Sequence, residues 1–179
     1  MRQPVPAAPG QIARYDCEYR RNGTVNLFVF LDAHQPWRKV NVTAQRTSRD
    51  FARCMRDVVD LHYPRAEKIR VVLDNLSSHT PGALYETFAA PEAHRLLGRL
   101  EFHYTPRHAS WLNMVEIEIG VLRGQCFERR IDNAEQLTQE IDAREQRRNS
   151  AGTRINWMFT TNHARAKLAR TYPQLAKES

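Results

Sequence analysis

The sequence has 179 residues, of which 41% are hydrophobic and 26% are charged, so it suits one domain with an ordinary core. Its longest apolar run is far shorter than the about 18 residues that a membrane span needs, and its first residues do not have the apolar segment of a signal peptide. We therefore expect no membrane association and a cytoplasmic location. Three widely separated cysteines without a C-x-x-C pair argue against a disulfide framework or structural zinc. The net charge of +7 favours a phosphate-rich partner.

The first half of the chain predicts a hairpin, a helix and a third strand. Residues 1–14, rich in proline and alanine, predict a loose arm. The stretches "TVNLFVFL" (24–31) and "WRKVNVT" (37–43) predict two strands joined as a β-hairpin. Residues 48–61 have apolar side chains at helical spacing, with Ser48 or Thr47 as the cap.

The next stretch, "IRVVLDNLSSH", predicts a short buried strand that ends at Asp74. After it, Thr80 and Pro81 predict the start of a helix, with the threonine as cap and the proline at the first helical position. The stretch "LEFHY" (100–104) predicts another short strand.

The last part of the chain predicts mainly helices. A helix is expected from Ser110, with Leu112, Val115, Ile119 and Leu122 as one buried stripe. Residues 132–135 match an acidic capping box and predict a polar helix to about residue 149. A short extended piece (154–159) and a basic helix (161–172) follow. The order of strands and helices predicts an α/β layer architecture.

Two carboxylates stand out as candidates for chemistry. Asp74 lies at the carboxyl end of a buried strand, where ligand sites collect in open α/β sheets, although an Asx turn or cap would also explain it. Glu116 shares a helical face with Asn113 and Gly120, an unusual strip for a merely solvated surface. Glu118 is expected to point elsewhere, toward solvent.

The motifs "VVLDNLSSH" and "FHYTPRHASWLNMVEIEIGVL" resemble the second and third acidic motifs of DDE transposases of the IS630 and Tc1/mariner group, most closely the bacterial IS630-type proteins. The resemblance extends over residues 15–172, which would form the catalytic domain, with 173–179 as a tail. It implies an RNase H-like fold, a mixed five-stranded sheet flanked by helices.

The resemblance also implies the catalytic roles. Asp74 would be the second carboxylate of the triad and Glu116 the third, together holding two Mg²⁺ or Mn²⁺ ions, hard cations that prefer oxygen ligands. Such a pair of ions supports hydrolysis at transposon ends and strand transfer into target DNA. The protein would act on DNA as a homodimer or higher oligomer, in the bacterial cytoplasm and on the nucleoid.

Residues near Glu116 are candidates for DNA contact. Arg107, His108, Trp111 and Asn113 could meet phosphates or a splayed base, although core packing would also explain Trp111. His79 could orient Asp74 or a phosphate, or it could cap the next helix. A basic face of the last helix, formed by Arg165, Lys167 and Arg170, is either solvated or a patch that binds the DNA backbone.

The first carboxylate of the triad has no obvious counterpart. The family places it on a strand before the hairpin, and no such strand precedes the hairpin here. Asp32 would be carried away from the site, and Asp16 lacks a strand context. The expectation is therefore an N-terminally truncated, inactive catalytic domain, either a decayed fragment or one half of a frameshifted product.

Two other functions compete with this one. The first is a catalytically silent DNA-binding remnant that binds or interferes with an intact transposase. The second is a glycosidase with Asp74 and Glu116 as its acid and base, for which the usual cluster of sugar-stacking aromatic side chains is missing.

Overall fold

A computed structural model describes residues 7–12, 23–106, 110–127, 131–158 and 160–168. Of the predicted arm it includes only residues 7–12, which are exposed and contain one isolated bridge between Ala8 and Gln11. The predicted hairpin is confirmed. Strands β1 (Asn26–Leu31) and β2 (Arg38–Thr43) pair antiparallel along their whole length.

Helix α1 (Ser48–Asp57) begins and ends close to its predicted bounds and continues as a π-helical turn, Val58–His62. The Thr47 side chain accepts a hydrogen bond from the Asp50 backbone N–H, and the Asp50 carboxylate accepts one from the Thr47 N–H, which completes a capping box. These bonds lower the pKa of Asp50.

Strands β3 (Ile69–Leu73) and β4 (Leu100–Tyr104) pair parallel. The chain connects these two strands through two helices, α2 (Gly82–Thr87) and α3 (Ala90–Arg99). A helix does begin after Pro81, but the predicted Thr80 cap is wrong, because no side chain caps this end and the Ala83 N–H instead donates to the Thr80 carbonyl.

The remaining helices are α4 (Val115–Cys126), α5 (Ala134–Ser150) and α6 (Thr161–Leu168). The predicted helix start at Ser110 is wrong, because Ser110–Leu112 forms a single 3₁₀ turn. Asn133, not Asp132, caps α5, since its side chain accepts from the Gln136 N–H at 2.8 Å. Residues 154–158 form no strand, and residues 169–172 of the predicted last helix lie outside the described part.

The hairpin is covered on both faces. One apolar cluster joins Phe28 of β1 to α1, α2, α3 and the strands β3 and β4. A second cluster joins Val40 of β2 to Leu122 and Cys126 of α4 and to Leu137 and Ile141 of α5. The layered mixed α/β fold is therefore confirmed, with helices on both sides of the strands.

The described strands form two separate two-stranded sheets, β1 with β2 and β3 with β4. Within the described residues, neither β1 nor β3 has a partner on its second edge, so these residues do not build the five-stranded sheet that the resemblance implies. None of the described helices combines the length and the hydrophobicity that a membrane span requires.

Candidate active site

A cavity of about 1100 Å³ separates the two sheets. All residues from 27 to 34 on the β1 side and from 68 to 74 on the β3 side line it. Side chains alternate between the two faces of a strand, so a cavity on one face would be lined by every second residue. Here consecutive residues line the cavity, which means that it runs along the backbone edges of the strands. It is therefore a slot between two open strand edges.

The strands on the two sides of this slot run in opposite directions. Near the carboxyl end of β3, the His79 ring lies 6.0 Å from the ring of Phe28, early in β1. At the other end, the Tyr63 hydroxyl, which precedes β3, donates to the Asp32 carboxylate just after β1 at 2.7 Å. The end of β1 thus lies beside the start of β3.

Asp74 lies at the carboxyl end of β3, as predicted, and lines the slot. Its Oδ1 atom is 2.7 Å from Nδ1 of His79. Because an ionised carboxylate can only accept, the histidine Nδ1–H donates this bond. The Asp74 side chain is 47% exposed, so its second oxygen remains available to a ligand.

His79 is held firmly while it contacts Asp74. Its ring stacks on Phe51 with a centroid distance of 4.8 Å, and its carbonyl accepts from the Tyr104 hydroxyl at 2.8 Å. Its Nε2 atom is buried without a hydrogen-bond partner among the described residues. The predicted alternative, a helix-capping role for His79, is wrong, because α2 has no side-chain cap.

The loop after β3 is fixed to the end of β4. The Thr105 N–H donates to the Leu73 carbonyl at 2.9 Å, and the Asn75 side-chain amide donates to the Thr105 carbonyl. The carboxylate of Asp74 is therefore presented from a braced edge rather than from a free loop.

The start of α4 lines the same slot and brings Glu116 into it. Glu116 is exposed. Asn113, also lining the slot, accepts from the Val115 N–H with its side chain at 3.2 Å. At Gly120, the third member of the predicted strip, an added Cβ atom would meet no described atom of another element within 4 Å, so no close approach explains this glycine.

The predicted buried stripe on α4 is wrong in part. Leu122 is 1% exposed, but Ile119 is 40% exposed, and Leu112 and Val115 are only half-buried. Leu112, Val115 and Ile119 all line the slot, so this apolar face of α4 forms part of its wall.

Asp74 and Glu116 supply oxygen ligands of the kind that hard divalent cations prefer. No group of three metal-binding side chains occurs among the described residues. Asp32 also lines the slot but at the opposite end, where its carboxylate accepts from Tyr63 and from the backbone N–H groups of His34 and Gln35. The described donor set therefore fits a divalent cation only in part.

The structure describes only some of the other residues predicted to contact DNA. Arg107 and His108, like Asp16, lie outside the described residues. Trp111 lies in the 3₁₀ turn, is 37% exposed and is not a core residue. Arg165 is exposed on α6, whereas Arg170 and the side chain of Lys167 lie outside the described part of the chain.

The prediction that Glu118 faces solvent is wrong. Its side chain is fully buried and contacts Arg38, Arg144 and Arg148. A signal for this burial exists in the sequence, because Glu118, Leu122 and Cys126 are four residues apart and share one face of a helix.

Most of the chain matches one known protein family. Residues 1–138 match the family of DDE superfamily endonucleases. The chain belongs to this family. Comparisons with curated proteins and with solved structures found no match.

Membership among the DDE superfamily endonucleases indicates a nuclease of the transposase type, whose substrate is DNA. Endonucleases of this kind generally use divalent metal ions. The match spans β1 to the beginning of α5 and so includes both Asp74 and Glu116.

Proposed function

We propose that this chain is the catalytic domain of an IS630-type transposase with an RNase H-like fold. In this proposal Asp74 and Glu116 are the second and third carboxylates of its triad. The observation that carries it is that both side chains, from a strand end and from a separate helix, line one slot in a DDE endonuclease. Asn113 and Trp111, with Arg107 and His108, would contact the DNA close to Glu116.

The slot supports the fold assignment. One added strand, antiparallel to β1, would also be parallel to β3, because those two strands run in opposite directions. It would join the two small sheets into a mixed sheet of five strands in the order β2, β1, added strand, β3, β4. We propose that this strand carries the first carboxylate, and that without it the chain does not cleave DNA.

The direction of the added strand limits where its carboxylate can lie. A strand parallel to β3 ends beside Asp74, so its carboxylate must lie near its own carboxyl end to reach the site. Asp32 is then an unsuitable replacement, because it lies at the far end of the slot and its oxygens already accept three hydrogen bonds.

The residues of this chain would act by holding and orienting the site. Asp74 and Glu116 would hold Mg²⁺ or Mn²⁺, which would activate the attacking oxygen and stabilise the leaving oxygen of a phosphodiester. The His79 N–H holds one Asp74 oxygen, and the other oxygen would then serve as the metal ligand. Water as nucleophile gives a nick, and a 3′-hydroxyl as nucleophile gives strand transfer.

A second function is favoured by the incomplete set of carboxylates among the described residues and by the net charge of +7. The chain would then be a silent DNA-binding remnant that interferes with an intact transposase, with which it would form dimers or higher oligomers. Its DNA affinity would fall steeply with salt, since release of counterions drives such binding.

A nicking assay distinguishes these two functions. The protein is incubated with supercoiled plasmid and Mn²⁺, with and without a strand peptide. This peptide has a valine- and isoleucine-rich segment of about six residues, the usual length of a strand. An aspartate lies near the carboxyl end of the segment, and lysines flank the segment on both sides. We expect nicking only when both peptide and Mn²⁺ are present.

The matched control is the same peptide with asparagine in place of aspartate, which should support no nicking. Salt-sensitive DNA binding, together with no nicking under any of these conditions, would favour the silent remnant. Equal nicking in the presence of a metal chelator would contradict both functions.

A further inference from the structure

Glu118 is the most unexpected charged residue of the fold. It lies two positions after Glu116 on α4, and its side chain has no exposed surface. A buried carboxylate is costly unless charged or hydrogen-bonding groups surround it. The groups that surround Glu118 therefore indicate its structural role.

Three guanidinium groups from two other elements converge on this carboxylate. Arg144 and Arg148 of α5 donate from their Nη2 atoms to Oε1 at 3.0 Å and to Oε2 at 3.2 Å. Arg38, the first residue of β2, approaches Oε2 with its Nε atom at 3.4 Å. Glu118 thus links α4 to both α5 and the hairpin.

Arg38 is itself fixed. It is fully buried, its Nη1 atom donates to the Asn149 side chain at 3.2 Å and its Nη2 atom donates to the Thr153 carbonyl. Burial lowers the pKa of Arg38, and the charge of Glu118 acts against this shift. The network is therefore mutual, because Glu118 compensates a cation that is as buried as itself.

Apolar packing does little to hold the first half of α4. The buried apolar residues of this helix, Leu122 and Cys126, lie in its second half. Ile117 and Ile119 are each 40% exposed. In the half that carries Glu116, Glu118 is the only buried side chain among the described residues.

Helix geometry links the direction of Glu118 to that of Glu116. Successive residues are turned by about 100° around a helix with about 3.6 residues per turn, so residues two apart point to nearly opposite sides. Glu118 points to α5 and β2, and Glu116 lines the slot. Charge-assisted bonds from guanidinium groups are strong and directional, so they fix the rotation of α4.

We propose that Glu118 is a positioning residue, which fixes the rotation of α4 through Arg38, Arg144 and Arg148 and so directs Glu116 toward Asp74. This inference rests on the proposed role of Glu116. It adds to the site a side chain that touches neither metal nor DNA.

The test is a titration of the full chain with Mn²⁺, with free Mn²⁺ followed by electron paramagnetic resonance. Glu118→Gln keeps the shape of the side chain and removes its charge. We expect it to weaken Mn²⁺ binding by about 10-fold or more, the scale on which supporting residues change metal affinity. Arg148→Gln, which leaves the other two guanidinium groups in place, should cause a smaller loss and provides a milder variant should Glu118→Gln fail to fold.

The matched control is Ile141→Ala, which truncates a fully buried side chain of α5 and destabilises the same region while it keeps Glu118 and its three arginines. It should leave Mn²⁺ affinity unchanged at a temperature where every variant is folded. Equal losses in Ile141→Ala and Glu118→Gln would overturn the positioning role. If Asp74→Asn did not weaken Mn²⁺ binding, the proposed metal site would fall as well.

Discussion

Replacing Asp74 by Asn, or Glu116 by Gln, is expected to lower metal-dependent nicking by the strand-complemented protein at least about 100-fold. Losses of this size follow the removal of one electrostatic group at a reaction centre. Each substitution removes an anionic oxygen ligand and keeps nearly the same volume. The measurement is the initial rate of plasmid nicking at saturating strand peptide and Mn²⁺.

The stability of these variants separates chemistry from folding. The Asp74 side chain is 47% exposed and Glu116 is exposed. The free energy of unfolding of each variant, measured in urea, should therefore lie within about 0.5 kcal/mol of the wild-type value. Asp60→Asn is the matched control, because Asp60 pairs with Arg95 on the surface and does not line the slot. A rate unchanged in Asp74→Asn, or lowered equally in Asp60→Asn, would contradict the assignment.

The strand peptide is expected to stabilise the protein. A ligand that binds only the folded state at about 100 times its dissociation constant adds about 2.7 kcal/mol to the free energy of unfolding. Here the gain would come from backbone hydrogen bonds to β1 and β3 and from covering Ile119 and Val72, which are 40% and 56% exposed. Thermal unfolding and hydrogen exchange measure the effect.

Hydrogen exchange also shows where the peptide binds. Additional protection should appear in β1 and β3, the two strands that line the slot, and not in β2 or β4. A peptide with proline at its centre is the control, because proline cannot donate a ladder hydrogen bond. Equal stabilisation by the proline peptide, or protection confined to β2 and β4, would rule out insertion between the sheets.

Local sequence patterns predicted the strands well. The runs around Val29, Val40, Val71 and Phe102 are rich in β-branched or aromatic residues, and each forms a strand close to its predicted bounds. Asp74 was placed correctly at a strand end because its position depends only on the strand before it. The separation of the strands into two sheets could not be read from these patterns, since pairing is decided by contacts between distant segments.

Helix α4 shows the opposite case. Its apolar residues suggested a buried stripe through Ile119, but the buried face runs through Glu118, Leu122 and Cys126. A carboxylate is among the side chains least often buried, so the residue type favoured solvent exposure for Glu118 although its spacing to Leu122 and Cys126 pointed to the buried face. The arginines of β2 and α5, distant in sequence, make its burial possible.

The proposed function requires that Asp74 and Glu116 form one divalent-cation site at the end of the slot. Substoichiometric Mn²⁺ can locate this site, because it broadens nearby signals in the nuclear magnetic resonance spectrum of the strand-complemented chain. We expect the backbone signals of both residues to broaden first, and Asp74→Asn to weaken the broadening at Glu116. Broadening centred on the surface carboxylates Asp60 and Glu92, with Asp74 and Glu116 unaffected, would contradict it.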